Sequence, residues 1–427
     1  MKNCNYDVIV CGGGPAGFGA AVASARNGVR TLLIDQGNCL GGTATARLVI
    51  EFAKTAGRNG GVFKEIIDKM EKLGGISWDV AFPSVYSIFD PELLKYVLQE
   101  FCEDAGVDIL FHTFTDSAIV ENGAVCGVNA VNKNGRMGIR SKIVIDATGD
   151  GDMAVSAGAA FEKGSPSTRR MQGLTLRIRI GGVDMSKPVN WTEVNEKFEN
   201  ARKEGKAKFP FYVTKWLDAG ARGLHEERTL NLDMVTDADA TDAFELSRAE
   251  IEARKRIWEF INFAKTTIPG WENSYIIDSG SHIGVRETRR ITGKYILTEN
   301  DVLEGRKFED GISRSSFTMD LHDPDEVAPD WETLDEHIKS NSCPPGDYYE
   351  IPYRCLVPEK LHGILVAGRC ISADRRAGGS IRAMTTCMNT GQAAGTAAAM
   401  AVLGGISPDA VDGKAVRKKL AEQGAEI

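Results

Sequence analysis

The stretch SHIGVRETRR at 281–290 puts one histidine and three arginines within ten residues. Imidazole exchanges protons near neutral pH and guanidinium clamps carboxylates and phosphates, so this composition suits acid–base chemistry on an anion. If the stretch is a strand, alternate residues share a face: His282, Arg286 and Arg290 point together, with Glu287 and Arg289 opposite. His282 and Arg286 are therefore candidate catalytic groups. Arg289 and Arg290 fit better an arginine–carboxylate network that ties two domains together. YEIPYR at 349–354 offers Tyr353 and Arg354 as substrate contacts, although a structural β-turn explains them nearly as well. DRR at 374–376 offers Arg375 and Arg376. His112, His225, His337 and His362 lack such company, and His322 joins the candidates only if the acidic stretch around it closes over the site.

No His/Cys/carboxylate cluster has ligand spacing, so no metal is expected, and no GxSxG or Ser-His-Asp pattern indicates a hydrolase. The nine cysteines form no CxxC pair and read as reduced thiols. A net charge of −8 and a pI near 5.5 argue against a nucleic-acid partner, which needs a basic footprint. The N-terminus has no signal-peptide pattern and no apolar stretch approaches a membrane span. The expectation is a cytoplasmic protein with a small-molecule substrate, no nucleic acid and no membrane.

Chemistry at such arginines needs a partner, and the front of the chain supplies one. DVIVC at 7–11 is an apolar run suited to a buried parallel strand. It breaks into GGGPAGFG at 12–19, a small-residue helix follows, and a second apolar run at 29–34 ends in Asp35, 18 residues beyond Gly17. Gly12 permits the tight turn, Gly14 lets the backbone approach a pyrophosphate, and Gly17 lets the helix pack closely on the strands. The helix N-terminus faces the phosphates and Asp35 accepts hydrogen bonds from a ribose diol. A second glycine loop, LGGTAT at 40–45, follows almost at once and can pass beside the pyrophosphate.

Alternating runs at 124–131 and 139–145, with Asn134-Gly135 between them, read as strands of a meander joined by a hairpin turn. The meander ends in VIDATGDGD at 144–152. Gly149 opens what could pass for a second nucleotide motif, but no further strand capped by an acid follows. A three-stranded meander that returns to the first sheet fits an FAD domain better than a second NAD fold.

GGGPAGFGAA, LGGTAT, VIDATGDGD, HIGVRETRRITGKYILT, YYEIPYRCLVP and AGRCISADRRAGGSIRAMTTCMNTGQAAGTAAA occur here in that order. Together they resemble the FAD-dependent oxidoreductase family within the glutathione-reductase-like flavoproteins, a broad group that includes fumarate reductase and heterodisulfide reductase flavoproteins. The resemblance runs from about residue 6 to residue 403 and implies FAD as cofactor. It implies contacts from Gly12, Gly14, Pro15, Ala16, Gly17, Asp35 and Gln36, and from Gly41, Gly42, Thr43, Ala44 and Thr45. Further contacts are implied at Ala147, Thr148, Gly149 and Asp152, and at Gly368, Arg369, Arg382, Ala383 and Met384. Related flavoproteins often place a Gly-Asp pair where this chain has Gly368-Arg369, a departure at the ribityl contact. A helix starting between Ser380 and Met384 is expected to aim its N-terminus at the flavin, with Arg382 as the flavin's neighbour and Arg369 structural.

The fold class implied is α/β: a Rossmann-like FAD-binding domain, parallel sheet plus three-stranded meander, with an inserted α+β substrate domain. The FAD domain takes residues 1–164 and 351–427 and the substrate domain 165–350. Within the latter, LTLRIRI at 174–180 alternates as a half-buried strand, 241–267 reads as a long amphipathic helix, and 300–345 as an acidic surface excursion or lid. The reading is an FAD-dependent oxidoreductase that moves a hydride between flavin N5 and a small anionic molecule. The alternative is an electron-transfer flavoprotein subunit serving a protein partner, which the lack of iron–sulfur cysteine motifs disfavours. An RNA-modifying flavoenzyme is disfavoured by the overall acidity.

Overall fold

The computed structural model describes residues 5–78, 85–184, 186–209, 215–218, 227–231, 234–322 and 334–427. The first strand, Asn5–Cys11, carries Val8, Ile9, Val10 and Cys11 at zero exposure. An unbroken apolar run is what a parallel strand covered on both faces requires. It lies between Thr31–Ile34 and Gly135–Asp146 and runs parallel to both. Asp108–Leu110 extends the sheet beyond Thr31–Ile34, and Ile364–Val366 pairs in parallel with the end of Gly135–Asp146.

Gly135–Asp146 serves two sheet regions at once. Its later residues make the parallel pairings, while residues 135–140 pair antiparallel with Ala124–Asn132, itself paired with Phe114–Glu121. The expected meander is therefore continuous with the parallel sheet through a single strand.

Two long-range packing features fix the nucleotide side. The helix Pro15–Arg26 and the helix Met384–Gly404 lie backbone to backbone: a Cβ on Gly391 would stand 2.0 Å from the Ala16 carbonyl oxygen, and one on Gly395 2.2 Å from that of Ala20. Only glycine allows that approach. Because Ala16 and Ala20 match Gly391 and Gly395 in the same order, the two helices run parallel. The Met384 helix starts six residues earlier along the shared axis, about 9 Å at 1.5 Å per residue.

A second core belongs to the middle of the chain. Strands Lys215–Asp218, Arg228–Asn231, Arg177–Gly181 and Tyr275–Ser279 form an antiparallel sheet in that order. The helix Ala243–Thr267 adds Ala249, Ala253, Ile257, Phe260, Ile261 and Ala264 to this core. Trp271 closes it, edge-on to Trp191 and to Phe260. Asp242 caps the helix by accepting from the Phe244 and Glu245 amides, a common N-terminal device.

Two expectations change. The alternation at 174–180 does not mark a water-facing side, since Thr175 and Arg177 are as buried as Leu174, Leu176 and Ile178. The polar face meets the first domain, where Arg177 forms a two-pronged ion pair with Glu51 at 2.6 and 2.7 Å. Second, part of the stretch read as a surface excursion is core. Gly311–Ser315 pairs with Tyr349–Pro352, and Ile312, Met319, Tyr349 and Ile351 join the first core with Ile291, Leu297 and Val302. Residues 323–333 of that stretch lie outside the described residues, and a short helix, Leu334–Ser340, follows them. Among the described residues no helix is long and apolar enough to cross a membrane.

Candidate flavin and substrate site

At the end of the first strand, Gly12 has φ +100° and a Cβ on it would strike the Ala147 carbonyl oxygen at 2.5 Å. A Cβ on Gly17 would stand 1.7 Å from the Gly12 oxygen, so turn and helix touch through backbone alone. Gly14, by contrast, has nothing within 4 Å of a Cβ position. It begins the Pro15 helix with no side-chain cap and no acid in the first turn. The free amides at that start are left facing an open groove, the arrangement that accepts a phosphate. Gly42 approaches Gly14 from the other side, with its Cβ position 2.9 Å from the Gly14 Cα.

The neighbouring side chains are already organised. Asp35 accepts the Gly13 and Gly37 amides, one on each oxygen, both at 2.6 Å, which orients the carboxylate at the end of its strand. Gln36 is exposed beside it. In the second glycine loop Thr45 spends its hydroxyl on the Leu40 carbonyl, Ala44 is buried, and the Thr43 hydroxyl keeps no partner among the described residues. Asp146 is fully buried and accepts from the Thr148 amide, the Thr148 hydroxyl and the Ala154 amide. Burial pushes its carboxyl up to about 6 despite those bonds.

Gly149 and Asp152 lead into an ion-pair chain. Asp150 binds Arg369 at 2.6 Å and Thr288 at 2.7 Å, and Arg289 binds Asp152 at 2.7 Å. Arg369 therefore joins the Ala147–Asp152 turn to the segment after Gly368, and it occupies itself with Asp150. Arg289 thus meets a carboxylate, Asp152, next to the turn that ends the meander. Arg47 was missed in the sequence. Its Nε donates to the Ile283 carbonyl at 3.0 Å, it makes no ion pair among the described residues, and it feels Arg369, Asp150 and Asp35 electrostatically. Its signal was a lone arginine two residues past TAT, a pattern without meaning until the loop's position is known.

The Met384 helix begins at Ala383, which is extended and leaves the helix start uncapped. Ser380 lies in a separate short helix, Arg375–Ile381, whose C-cap is Arg382. The expected helix start is thus resolved into a break at Arg382–Ala383, and Arg382 points to a different set of partners from those expected.

Those partners form a half-buried polar cluster, called the cleft below. Arg382 donates to Asp320 twice, to the carbonyl at 2.8 Å and to Oδ2 at 2.6 Å. His322 Nε2 stands 3.3 Å from Asp320 Oδ1. Arg286 reaches the Gly173 carbonyl and the Thr175 hydroxyl, both at 2.7 Å, and has no carboxylate at ion-pair distance among the described residues. Burial, with Arg382 adding to it, pushes Arg286 down to about 9. Asp320 is held well below the usual carboxylate range: burial opposes this, but His322, Arg382 and Arg286 outweigh it. Burial lowers His322, against the pull of Asp320.

The other candidates separate from this cleft. Residues 281–288 form no strand, only an isolated bridge at Gly284, so the shared face does not exist. His282 is exposed and its Nδ1 meets the Ser281 hydroxyl. Arg290 is buried on Glu287 at 2.8 Å, and Arg375 binds the same carboxylate at 3.2 Å. Arg376 is taken by Glu299 and Asn341. Arg354 pairs with Asp310 at 2.9 Å over the Tyr295 ring, while the Tyr353 hydroxyl is buried on the Pro408 carbonyl. Of His282, Arg286, Arg354 and Arg375 only Arg286 lies in this cluster. Asp320 is the addition, and His322, a candidate on condition that the acidic stretch closes over the site, stands beside it. Among the described residues no group of three or more His, Cys, Asp or Glu is placed to hold a metal.

An uncapped helix start over a glycine turn, with an acid at the end of the second strand, defines a Rossmann-type dinucleotide-binding protein. The chain belongs to the FAD dependent oxidoreductase family, which it matches over residues 7–420, and FAD is its cofactor. It is 31% identical over 169 residues, 35% of its length, to thiamine thiazole synthase of Aeropyrum pernix, and spans 56% of that protein. Over 35% of its length it is also 31% identical to digeranylgeranylglycerophospholipid reductase of Methanocella arvoryzae, spanning 40% of it. The chain thus covers about half the length of these relatives. A geranylgeranyl bacteriochlorophyll reductase-like structure from Thermoplasma acidophilum aligns over 98% of this chain and 83% of its own, at 15% identity and TM-score 0.49.

The residues present fit FAD. The open groove at Gly14, the free helix start at Ala383 and the oriented Asp35 carboxylate are donors and acceptors of the right kind for pyrophosphate, flavin and ribose.

Proposed function

We propose that the protein uses FAD to oxidise or reduce a small anionic organic molecule, with Arg286 and Arg382 receiving the anionic group. The observation that carries this reading is Arg286, a half-buried guanidinium with no carboxylate partner among the described residues. Around the cleft Arg177, Arg286 and Arg382 stand against Glu51 and Asp320, three cations to two anions. A bound carboxylate or phosphate would balance that charge and offer Arg286 a charge-assisted bond.

FAD, when bound, supplies hydride chemistry at its N5 atom. The chain's own work is to bind and orient. The Pro15 helix start would hold the pyrophosphate, Asp35 the ribose, and the Met384 helix start the polar edge of the flavin. Arg382 directly precedes that helix, which supports placing an anion-bound substrate beside the flavin.

The test is anaerobic photoreduction of the bound flavin, followed by reoxidation with oxygen, quinones and α,β-unsaturated acids. Rapid reoxidation by the acids, lost in Arg286→Gln, is expected. Indifference to all small oxidants, with turnover only on a protein carrier, would replace this reading with electron transfer to a partner.

A further inference from the structure

The cleft holds a proton-active group that an anion clamp does not need. Asp320 is shared between Arg382 on Oδ2 and His322 on Oδ1. The histidine backbone is fixed on both sides: its amide donates to the Gln172 side chain at 3.0 Å, and its carbonyl accepts the Gly173 amide at 3.3 Å. Gln172 is in turn held through its own amide by Glu287. With Nε2 turned to the carboxylate, Nε2 carries the hydrogen and Nδ1 keeps its lone pair. Nδ1 has no partner among the described residues.

Other titratable groups nearby are committed elsewhere. The Tyr349 hydroxyl is buried against Ser380, and burial pushes it far up. Cys387 is bonded to the Ile381 carbonyl and pushed up to about 12 by burial. Glu51 is locked on Arg177 by two bonds. The charges facing His322 are Asp320 from its own segment, Arg286 from the 284–287 segment and Arg382 from the start of the Met384 helix, with the Glu51–Arg177 pair behind Arg286.

We propose that His322 exchanges, at Nδ1, the proton that accompanies hydride transfer between the substrate and FAD, and that Asp320 is its positioning residue. The assignment rests on the reading of this cleft as the substrate site. In the oxidative direction a hydride leaves a substrate carbon with its electron pair and FAD accepts it. The neighbouring O–H, N–H or C–H bond breaks, its electrons close the new double bond, and its proton passes to Nδ1. Reduction runs the same transfers backwards, with His322 as donor. Burial keeps the imidazole neutral at neutral pH, ready as a base, and Asp320 faces the cation formed.

The test needs no substrate. Placed at the reacting edge of the flavin, His322 must respond to the negative charge that reduction adds. The midpoint potential of the holoprotein is measured from pH 5 to 9 in wild type, His322→Gln and Asp320→Asn. Wild type should take up one more proton than His322→Gln in a window opening below pH 6.5, a tenfold change per pH unit or about 30 mV for two electrons. In Asp320→Asn the window should move to lower pH, because the carboxylate that favours the imidazolium is gone. Superimposable wild-type and His322→Gln slopes overturn the proposal. If His322→Gln loses FAD, imidazole 15N shifts of the oxidised and reduced wild type decide instead. One histidine gaining a proton on reduction, and absent from that behaviour in Asp320→Asn at the same pH, supports it; none doing so overturns it. Loss of anion binding in Arg286→Gln is read separately, so failure of the substrate reading and failure of the proton assignment give different results.

Discussion

Two sets of arginines lie within a few residues of each other and differ in what neutralises them. Arg290 and Arg375 share Glu287, and all three side chains are at most 10% exposed. Arg286, one residue before that carboxylate, has no carboxylate at ion-pair distance among the described residues. The first set closes a buried ion network between the Arg289–Ile291 strand and the Arg375–Ile381 helix. The second leaves a half-buried cation bonded only to a carbonyl and a hydroxyl. An arginine-rich motif thus has two outcomes, and the position of one glutamate decides between them: a closed network ties segments together, and an open one is where the proposed anion would bind.

The largest break in this contrast should come from Glu287→Gln. It removes the carboxylate that Arg290 and Arg375 share, and stability should fall by roughly 3–5 kcal/mol in urea denaturation. A charge buried with amides and a hydroxyl but no cation, Asp146, should come next. Its carboxyl is raised to about 6, so its contribution to stability is fully present below the unfolded value near 4 and is lost as pH rises through 6. Denaturation of wild type and Asp146→Asn in parallel should show the difference turning against wild type between pH 4 and 7, by roughly 2–3 kcal/mol. Arg286→Gln should leave the melting temperature nearly unchanged and weaken binding of a small dicarboxylate about 10–100-fold, as loss of a charged hydrogen bond of ~1.5–3 kcal/mol implies. Anion titration monitored by flavin absorbance checks it. Arg354→Ala marks the small end. Its pair with Asp310 is half exposed, so stability should change by at most ~1 kcal/mol, and anion affinity should not change.

The cofactor side was readable because its logic is local. Gly12, Gly14 and Gly17 sit in one turn and Asp35 ends the next strand, so their spacing states the geometry, although the Ala147 carbonyl that crowds Gly12 comes from far along the chain. The substrate side depends on contacts of high sequence separation. Arg286, Asp320 and Arg382 meet only after three segments have packed together. The strand proposed for 281–290 failed because the chain there is spent on irregular links to residues 46, 173 and 175. His322 could be kept only as a conditional candidate because the run of aspartate and proline after it reads equally as excursion or lid; the ties of its backbone to Gln172 and Gly173 are contacts that spacing does not show.

The strand Gly135–Asp146 has a consequence in time. Its nucleotide-side half needs Asn5–Cys11 on one flank and Ile364–Val366 on the other, and the helix that lies against Pro15–Arg26 ends at Gly404. During synthesis at 5–20 residues per second, the 258 residues between Asp146 and Gly404 take on the order of 10–50 s. For that interval the strand is an unfinished edge open to wrong partners. Cofactor capture must wait until Gly404 has been made, while the middle core, whose buried residues end at Ile283, can form first.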